Sequence, residues 1–319
     1  MPWQPGERHP KIAGRSAIFG WRSANPAGVG RGSVARPARA LPRRRAPVRP
    51  TIASMSSHEV PRGRPDGNRV GRGGPLARLW WIGLPLVPLQ GYRLKRTLPR
   101  FADADGTTGR VGSGARRLSV VALGDSVTAG YALDHHRSSI AGQLALRLAE
   151  RYDATVDWRA CARSGATAGE ALELVSREAL AGADLVFVSI GVNDLKNLHS
   201  TTRYRRELEG LLDEVLAAAP RAQVCLLGIP PLQHFPAFPR PLADALGWRG
   251  RVFDAIGVRA IRARPRTFRI ETDEALGPDM FAGDGFHPSP TLHAAFADAV
   301  MAIHRLPAED SGSPGRGAD

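Results

Sequence analysis

From Leu118 onward the chain alternates short apolar runs with stretches whose apolar residues recur every three or four positions. The run Leu118-Ser119-Val120-Val121-Ala122-Leu123 stops at Gly124 and reads as a buried strand. Over 138–152, Ile140, Leu144 and Leu148 share one helical face. A second strand is expected over 155–160, and a helix over 168–181 on the stripe Ala168, Leu172, Val175 and Ala179. Residues 184–190 form the most apolar run of all, the third strand. Leu208, Leu211, Leu212, Val215 and Leu216 mark an amphipathic helix over 203–219, followed by a fourth strand over 223–229. A helix over 242–263, interrupted by Gly247 and Gly250, leads to a short fifth strand over 267–270. The last helix opens with Ser289 as N-cap and Pro290 in its first turn, and is expected to bury Leu292, Phe296, Val300 and Ile303.

Buried strands alternating with amphipathic helices imply a parallel sheet covered on both faces, with right-handed crossovers. The expected fold class is therefore α/β: one three-layer domain over 117–306, with five parallel strands. In open sheets of this kind ligands bind at the carboxyl ends of the strands. Those ends carry the chemistry. They are Gly124-Asp125-Ser126 after the first strand, Ser164-Gly165 after the second and Asn193-Asp194 after the third. Leu232, Phe235 and Phe238 follow the fourth, and Asp284-Gly285-Phe286-His287 precedes the last helix.

A serine hydroxyl needs a base to become a nucleophile, and histidine serves near neutral pH. A carboxylate on the other ring nitrogen fixes the tautomer and stabilises the imidazolium. Asp284 and His287 stand three apart and can meet within one turn. The other histidines of the domain, including His199 and His293, show no comparable partner in the sequence. The Ser126 amide, the Gly165 amide and the Asn193 side chain are candidate donors to an oxyanion. Taken alone, Ser126 reads as a helix N-cap and Asn193 as a turn residue. Gathered at one end of one sheet, they read as a site.

The blocks Gly124-Asp125-Ser126 with Gly130, then Gly165, Gly191-Val192-Asn193-Asp194 and Asp284-Gly285-Phe286-His287 resemble the four motif blocks of the SGNH (GDSL-type) hydrolase superfamily. The resemblance spans residues 118–305. It implies a flavodoxin-like sheet of order 2-1-3-4-5, with Ser126 as nucleophile and Asp284 and His287 as its partners. Ser126, Gly165 and Asn193 then form the oxyanion hole, with Gly169 as the alternative to Gly165 if the second block is shifted. The implied activity is hydrolysis of carboxylic acyl esters without a cofactor. Acyl transfer on the same fold is the alternative. Asp125 and Asp194 read as supports of the loops beside the site. Leu232, Phe235 and Phe238 are candidates for an apolar substrate pocket favouring short or medium acyl chains. A cation held by Asp125, Asp194, Asp284 and His287 has no HxH, HExxH or CxxC spacing to support it, so no metal is expected.

Composition changes the picture only upstream. The net charge is +14 over 319 residues, but residues 1–100 hold 20 Lys/Arg against 3 Asp/Glu, and residues 101–319 hold 24 against 27. The whole basic excess thus lies before the domain. Residues 1–74, rich in Arg, Pro, Gly and Ala, read as a disordered leader. Three roles compete for it: a basic arm for nucleic acid or anionic lipid, a targeting segment, or none, with translation starting at a methionine such as Met55. It lacks the apolar region of a secretory or twin-arginine signal. If the domain were a passive scaffold, this leader would be the working, polyanion-binding part. No specific nucleic acid is expected as a partner.

Residues 75–116 read as an arm and linker. The apolar stretch containing Trp80 and Trp81 is followed by Arg93, Lys95 and Arg96. It suits either a peripheral membrane contact through residues 79–96 or packing against the domain, and residues 101–116 read as flexible. No segment reaches about 18 uninterrupted apolar residues, so no membrane span is expected. Residues 307–319 read as a disordered tail. Two unpaired cysteines, Cys161 and Cys225, suit a cytoplasmic protein, here with membrane association as an option.

Overall fold

The computed structural model describes residues 86–272 and 276–305. All of them fall in one of the two units into which the chain divides, Arg69–Asp319. The leader over 1–74, the tryptophan-containing stretch before Leu86 and the tail over 307–319 lie outside the described residues.

Six strands form one sheet: β1 Thr108–Val111, β2 Arg116–Gly124, β3 Ala154–Ala162, β4 Leu185–Ser189, β5 Gln223–Leu227 and β6 Thr267–Ile270. Their order is β1-β3-β2-β4-β5-β6. The five expected strands pair in parallel in the order 2-1-3-4-5, and β1 adds an antiparallel edge on β3. This edge corrects the reading of 101–116 as a flexible linker. Arg110 pairs with Asp157 across the edge, Ala104 is buried, and the Ala104 and Asp105 amides bond Ala129 and Asp134.

Eight α-helices are described: α1 Leu86–Thr97, α2 Ile140–Tyr152, α3 Ala168–Leu172, α4 Arg177–Leu180, α5 Val192–Lys196, α6 Thr201–Ala218, α7 Leu242–Arg262 and α8 Pro290–Ile303. The helix expected over 168–181 is two. Ser176 has extended backbone, and its hydroxyl accepts from the Ala179 amide, starting α4 afresh. Residue alternation along the strands sorts the core into two layers. Val121, Leu123, Val186, Val188, Val224 and Leu226 face α3, α6 and α7. Leu118, Val120, Ala122, Leu185, Phe187, Cys225 and Leu227 face α2 and α8. Each fully buried Leu or Phe is worth about 1.5–3 kcal/mol. Ile303 departs from its expected place: it is the last residue of α8 and is exposed, while Leu292, Phe296 and Val300 are buried. Gly247, inside α7, is required by the loop after β5. A Cβ there would lie 2.3 Å from the Gln233 side chain.

The strand order reverses at β2, which lies between β3 and β4. The crevice outside a switch point of this kind is where ligands bind, and it is here that the candidate residues collect. Helix α1, with Pro88 in its first turn where no amide partner is lost, docks beside it. The Gln90 side chain donates to the Arg240 carbonyl at 2.8 Å and accepts from the Leu242 amide at 3.0 Å, and Leu94 packs on the core.

Candidate active site

The turn after β2 is shaped by its first residue. Gly124 has φ +144°, and a Cβ there would lie 2.0 Å from the Ser189 carbonyl oxygen, so only glycine lets β2 and β4 close at this level. Asp125 is buried just beyond it. Its Oδ1 accepts from the Ser189 hydroxyl at 2.9 Å and from the Val127 amide at 3.1 Å, tying the two strand ends together. Burial pushes the Asp125 carboxyl up to about 6, against those hydrogen bonds and the charges of Lys196 and His287. This agrees with its expected role as a loop support.

Ser126 emerges from that turn half-buried. Its Oγ lies 3.1 Å from His287 Nε2, and His287 Nδ1 lies 2.6 Å from Asp284 Oδ2. The other Asp284 oxygen accepts the Phe286 and His287 amides, both at 2.9 Å. Burial raises the Asp284 carboxyl, but the His287 ring and the two amides outweigh it and hold the group below its ordinary value. The imidazole is clasped from two sides. The Tyr131 ring lies with its centroid 4.2 Å from that of His287, and Phe286 packs edge-on at 4.6 Å. Tyr131 is held by its hydroxyl, which accepts the Phe101 amide at 2.8 Å. Sequence reasoning passed over Tyr131, although it directly follows the Gly130 of the first motif block.

Gly165 and Asn193 arrive from the ends of β3 and β4. Gly165 has φ +86° and lines the cleft that His287 also lines. The alternative, Gly169, sits in α3 against the Glu207 carboxylate and lines neither of the two cavities at the site. Asn193 is buried, and its Nδ2 donates to the Ala166 carbonyl at 2.9 Å, which fixes the amide plane and leaves its second hydrogen free.

Two cavities share His287, Asn193 and Phe286 in their linings. An apolar recess of about 50 Å³ runs inward past Ser126, lined by Val127, Ile190, Phe235, Leu292 and Phe296 among others. A cleft of about 520 Å³ opens outward between α1 and the strand ends and reaches Gly165, Asn193 and His287. Of the three expected pocket residues, Phe235 lines the recess and Phe238 the cleft. Leu232 lines neither: it turns away from the site and is fully buried in the core, on Gly250 of α7.

A second histidine–carboxylate pair lies nearby, and the sequence reading missed it. His199 Nδ1 is 3.1 Å from Asp194 Oδ1, and Asp194 Oδ2 accepts the Ala168 amide at 3.0 Å. Burial raises the Asp194 carboxyl more than these bonds lower it. With Glu207 these two offer ligand-type atoms within 4.8 Å of one another, among the described residues the one group with metal-binding spacing. The set weighed from sequence (Asp125, Asp194, Asp284 and His287) does not form such a group. Both cysteines are free, and burial raises both thiols, which makes them poor nucleophiles.

A family model described as the GDSL-like lipase/acylhydrolase family matches residues 122–295, more than half of the chain. The chain belongs to this family. It is thus a member of a family of acyl-bond hydrolases, and the matched span runs from the end of β2 into α8, enclosing every residue of the Ser126–His287–Asp284 array. Solved structures similar to it include a lipase from a goat rumen metagenome, at 19% identity and TM-score 0.48 over 58% of this chain and 96% of that one. A psychrotrophic esterase of a Pseudoalteromonas species aligns at 21% identity and TM-score 0.44, over 58% and 94%. A family 3 carbohydrate esterase of Clostridium thermocellum aligns at 17% and 0.44, over 59% and 97%. Comparison with curated protein sequences finds no match.

Proposed function

We propose that the protein is a carboxylic ester hydrolase in which Ser126 is the nucleophile, His287 the general base and acid, and Asp284 its anionic partner. The observation that carries this reading is the continuous hydrogen-bonded series from Ser126 Oγ through the His287 ring to Asp284, at the junction of two cavities. In the first half-reaction Ser126 Oγ attacks the ester carbonyl carbon and its proton passes to His287 Nε2. The tetrahedral oxyanion is held by the Ser126 and Gly165 amides and the free hydrogen of Asn193 Nδ2. As the intermediate collapses, His287 returns the proton to the leaving alcohol and the acyl group stays on Ser126. Water, deprotonated by the same imidazole, then releases the acid. Asp284, kept anionic by the two backbone amides, stabilises the imidazolium in both halves.

The recess beside Ser126 supports short acyl chains, with Phe235 on its wall. The test is a series of p-nitrophenyl esters from acetyl to palmitoyl, given to the wild type and to Ser126→Ala at near-neutral pH. Hydrolysis by the wild type only, falling off beyond short chains, is the expected result. Turnover retained by a folded Ser126→Ala overturns the assignment. The cleft beside His287 also has room for an acceptor alcohol, so acyl transfer is the second reading. It is separated from hydrolysis by whether added glycerol diverts product from acid to ester.

Outside the domain we propose a peripheral membrane contact. Leu86, Leu89 and Tyr92 lie exposed along one side of α1, with Arg93 and Arg96 beside them. Among the described residues no helix is long and apolar enough to cross a membrane. Co-sedimentation with anionic vesicles, weakened by Leu89→Glu, is the expected outcome. A role of the basic leader in binding polyanions is tested separately by truncation near residue 75, which should leave esterase activity intact.

A further inference from the structure

Cations outnumber carboxylates along the described lining of the cleft. Gly91, Leu94, Lys95 and Leu98 fall on one face of α1 and its exit and line the cleft, and Arg100 follows them. Lys196, at the end of α5, faces them from the opposite wall, its Nζ 4.7 Å from the centroid of the Phe286 ring. Among the described residues none of the three cations makes an ion pair with a carboxylate. Among the described residues the one carboxylate lining the cleft is Asp284, and it is bound to His287. No acidic residue occurs anywhere between Leu86 and Ala102 to neutralise the rim.

The two cavities therefore differ in kind. The recess is small and apolar, and suits an acyl chain. The cleft is about ten times larger, mixed in lining, open past the His287 ring, and lined by the three cations Lys95, Arg100 and Lys196. His287, which hands the leaving alcohol its proton, lines both cavities, but only the larger cleft has room for a polar leaving group, so the alcohol side of the ester belongs there. Cations at 95, 100 and 196 would form charge-assisted hydrogen bonds with an anionic group on that alcohol.

We infer that the substrates are short-chain acyl esters of an alcohol bearing a phosphate, with Lys95, Arg100 and Lys196 receiving the anion. This rests on the ester hydrolase reading above. Lys95 and Arg100 are specificity residues supplied by a segment upstream of the span that defines the family, which begins at residue 122.

The test compares butyryl glycerol 3-phosphate with monobutyrin, the same ester without the phosphate, on the full chain. The wild type should show a kcat/KM about tenfold higher for the phosphate ester, a preference that falls at 0.5 M salt. The double variant Lys95→Gln/Arg100→Gln should lose that preference while its turnover of monobutyrin and of p-nitrophenyl butyrate stays within about twofold of the wild type. Equal kcat/KM for the two esters in the wild type overturns the inference and leaves the hydrolase reading standing. So does a double variant that loses both substrates alike, which assigns the two side chains to holding α1 in place. Turnover of no ester at all overturns the hydrolase reading, and this inference with it.

Discussion

The domain holds two histidine–aspartate pairs built from the same parts. In each, a ring Nδ1 meets the oxygen of a buried aspartate, at 2.6 Å for His287 and Asp284 and at 3.1 Å for His199 and Asp194. They differ in what surrounds them. Asp284 accepts two backbone amides besides the ring and is held below the usual carboxylate range. Asp194 accepts one amide, and the Glu207 carboxylate beside it adds to the effect of burial in raising it. The first pair keeps a negative charge on Asp284 against the His287 ring. The second ties the start of α3 to α5, and among the described residues no hydroxyl is bonded to its ring. A histidine–carboxylate contact is thus not a catalytic site. What the proposed function requires besides is a third group within reach of the free nitrogen, here Ser126 at 3.1 Å, and space for a substrate beside it.

The comparison breaks most sharply when each histidine is removed. His287→Ala should lower kcat by about 10³–10⁴ or more, the scale of losing a base that acts as a unit with its nucleophile. His199→Ala should change kcat by no more than about threefold, its cost appearing instead as about 1 kcal/mol of stability in urea melts. Equal losses of activity would erase the distinction.

Asn193 and Asp194 are chain neighbours with divided contacts: under the proposed function the Asn193 side chain serves the oxyanion, while Asp194 accepts the Ala168 amide at the start of α3. Asn193→Ala should cost about 10²–10³ in kcat with little change in KM, as for loss of one oxyanion donor. Steady-state kinetics on p-nitrophenyl acetate read this directly. A change confined to KM would place Asn193 in ground-state binding instead.

Asp125 extends the comparison to a third buried carboxylate, one with no histidine bonded to it. Its folded value of about 6 lies above the ordinary 3.8. The folded state therefore holds the proton more tightly than the unfolded chain. Its share of stability is fully present below pH 3.8 and is lost as the pH rises through 6. Asparagine can accept the same two bonds from Ser189 and Val127 without a charge. Relative to the wild type, Asp125→Asn should gain about 2–3 kcal/mol between pH 4 and pH 7.5. Urea unfolding at the two pH values measures it, and parallel pH profiles for the two proteins would remove the shifted carboxyl from the account.

Much of this was legible in the sequence, because buried parallel strands are short apolar runs and the loops after them carry unusual residues. Ser126, Gly165, Asn193, Asp284 and His287 were located that way. The edge strand β1 was not, since Thr-Gly-Arg-Val has no apolar run and its residues are exposed or half-buried. Helix α1 was hidden by Pro85 and Pro88 and by apolar residues on two sides, one set on the core and one exposed. The His199–Asp194 pair spans five residues around the end of a short helix, a spacing with no sequence signature. Tyr131 was missed because contact with His287 joins residues far apart in the chain. In each case the deciding contact is tertiary, and local periodicity does not report it.

The central claim is that His287, and not His199, activates Ser126. It is tested most directly by reaction with a fluorophosphonate followed by peptide mass spectrometry, on the wild type, His287→Ala and His199→Ala. The expected result is an adduct on the Ser126 peptide in the wild type and in His199→Ala, and none on the same timescale in folded His287→Ala. An adduct on another residue, or equal labelling of Ser126 in His287→Ala, would contradict it.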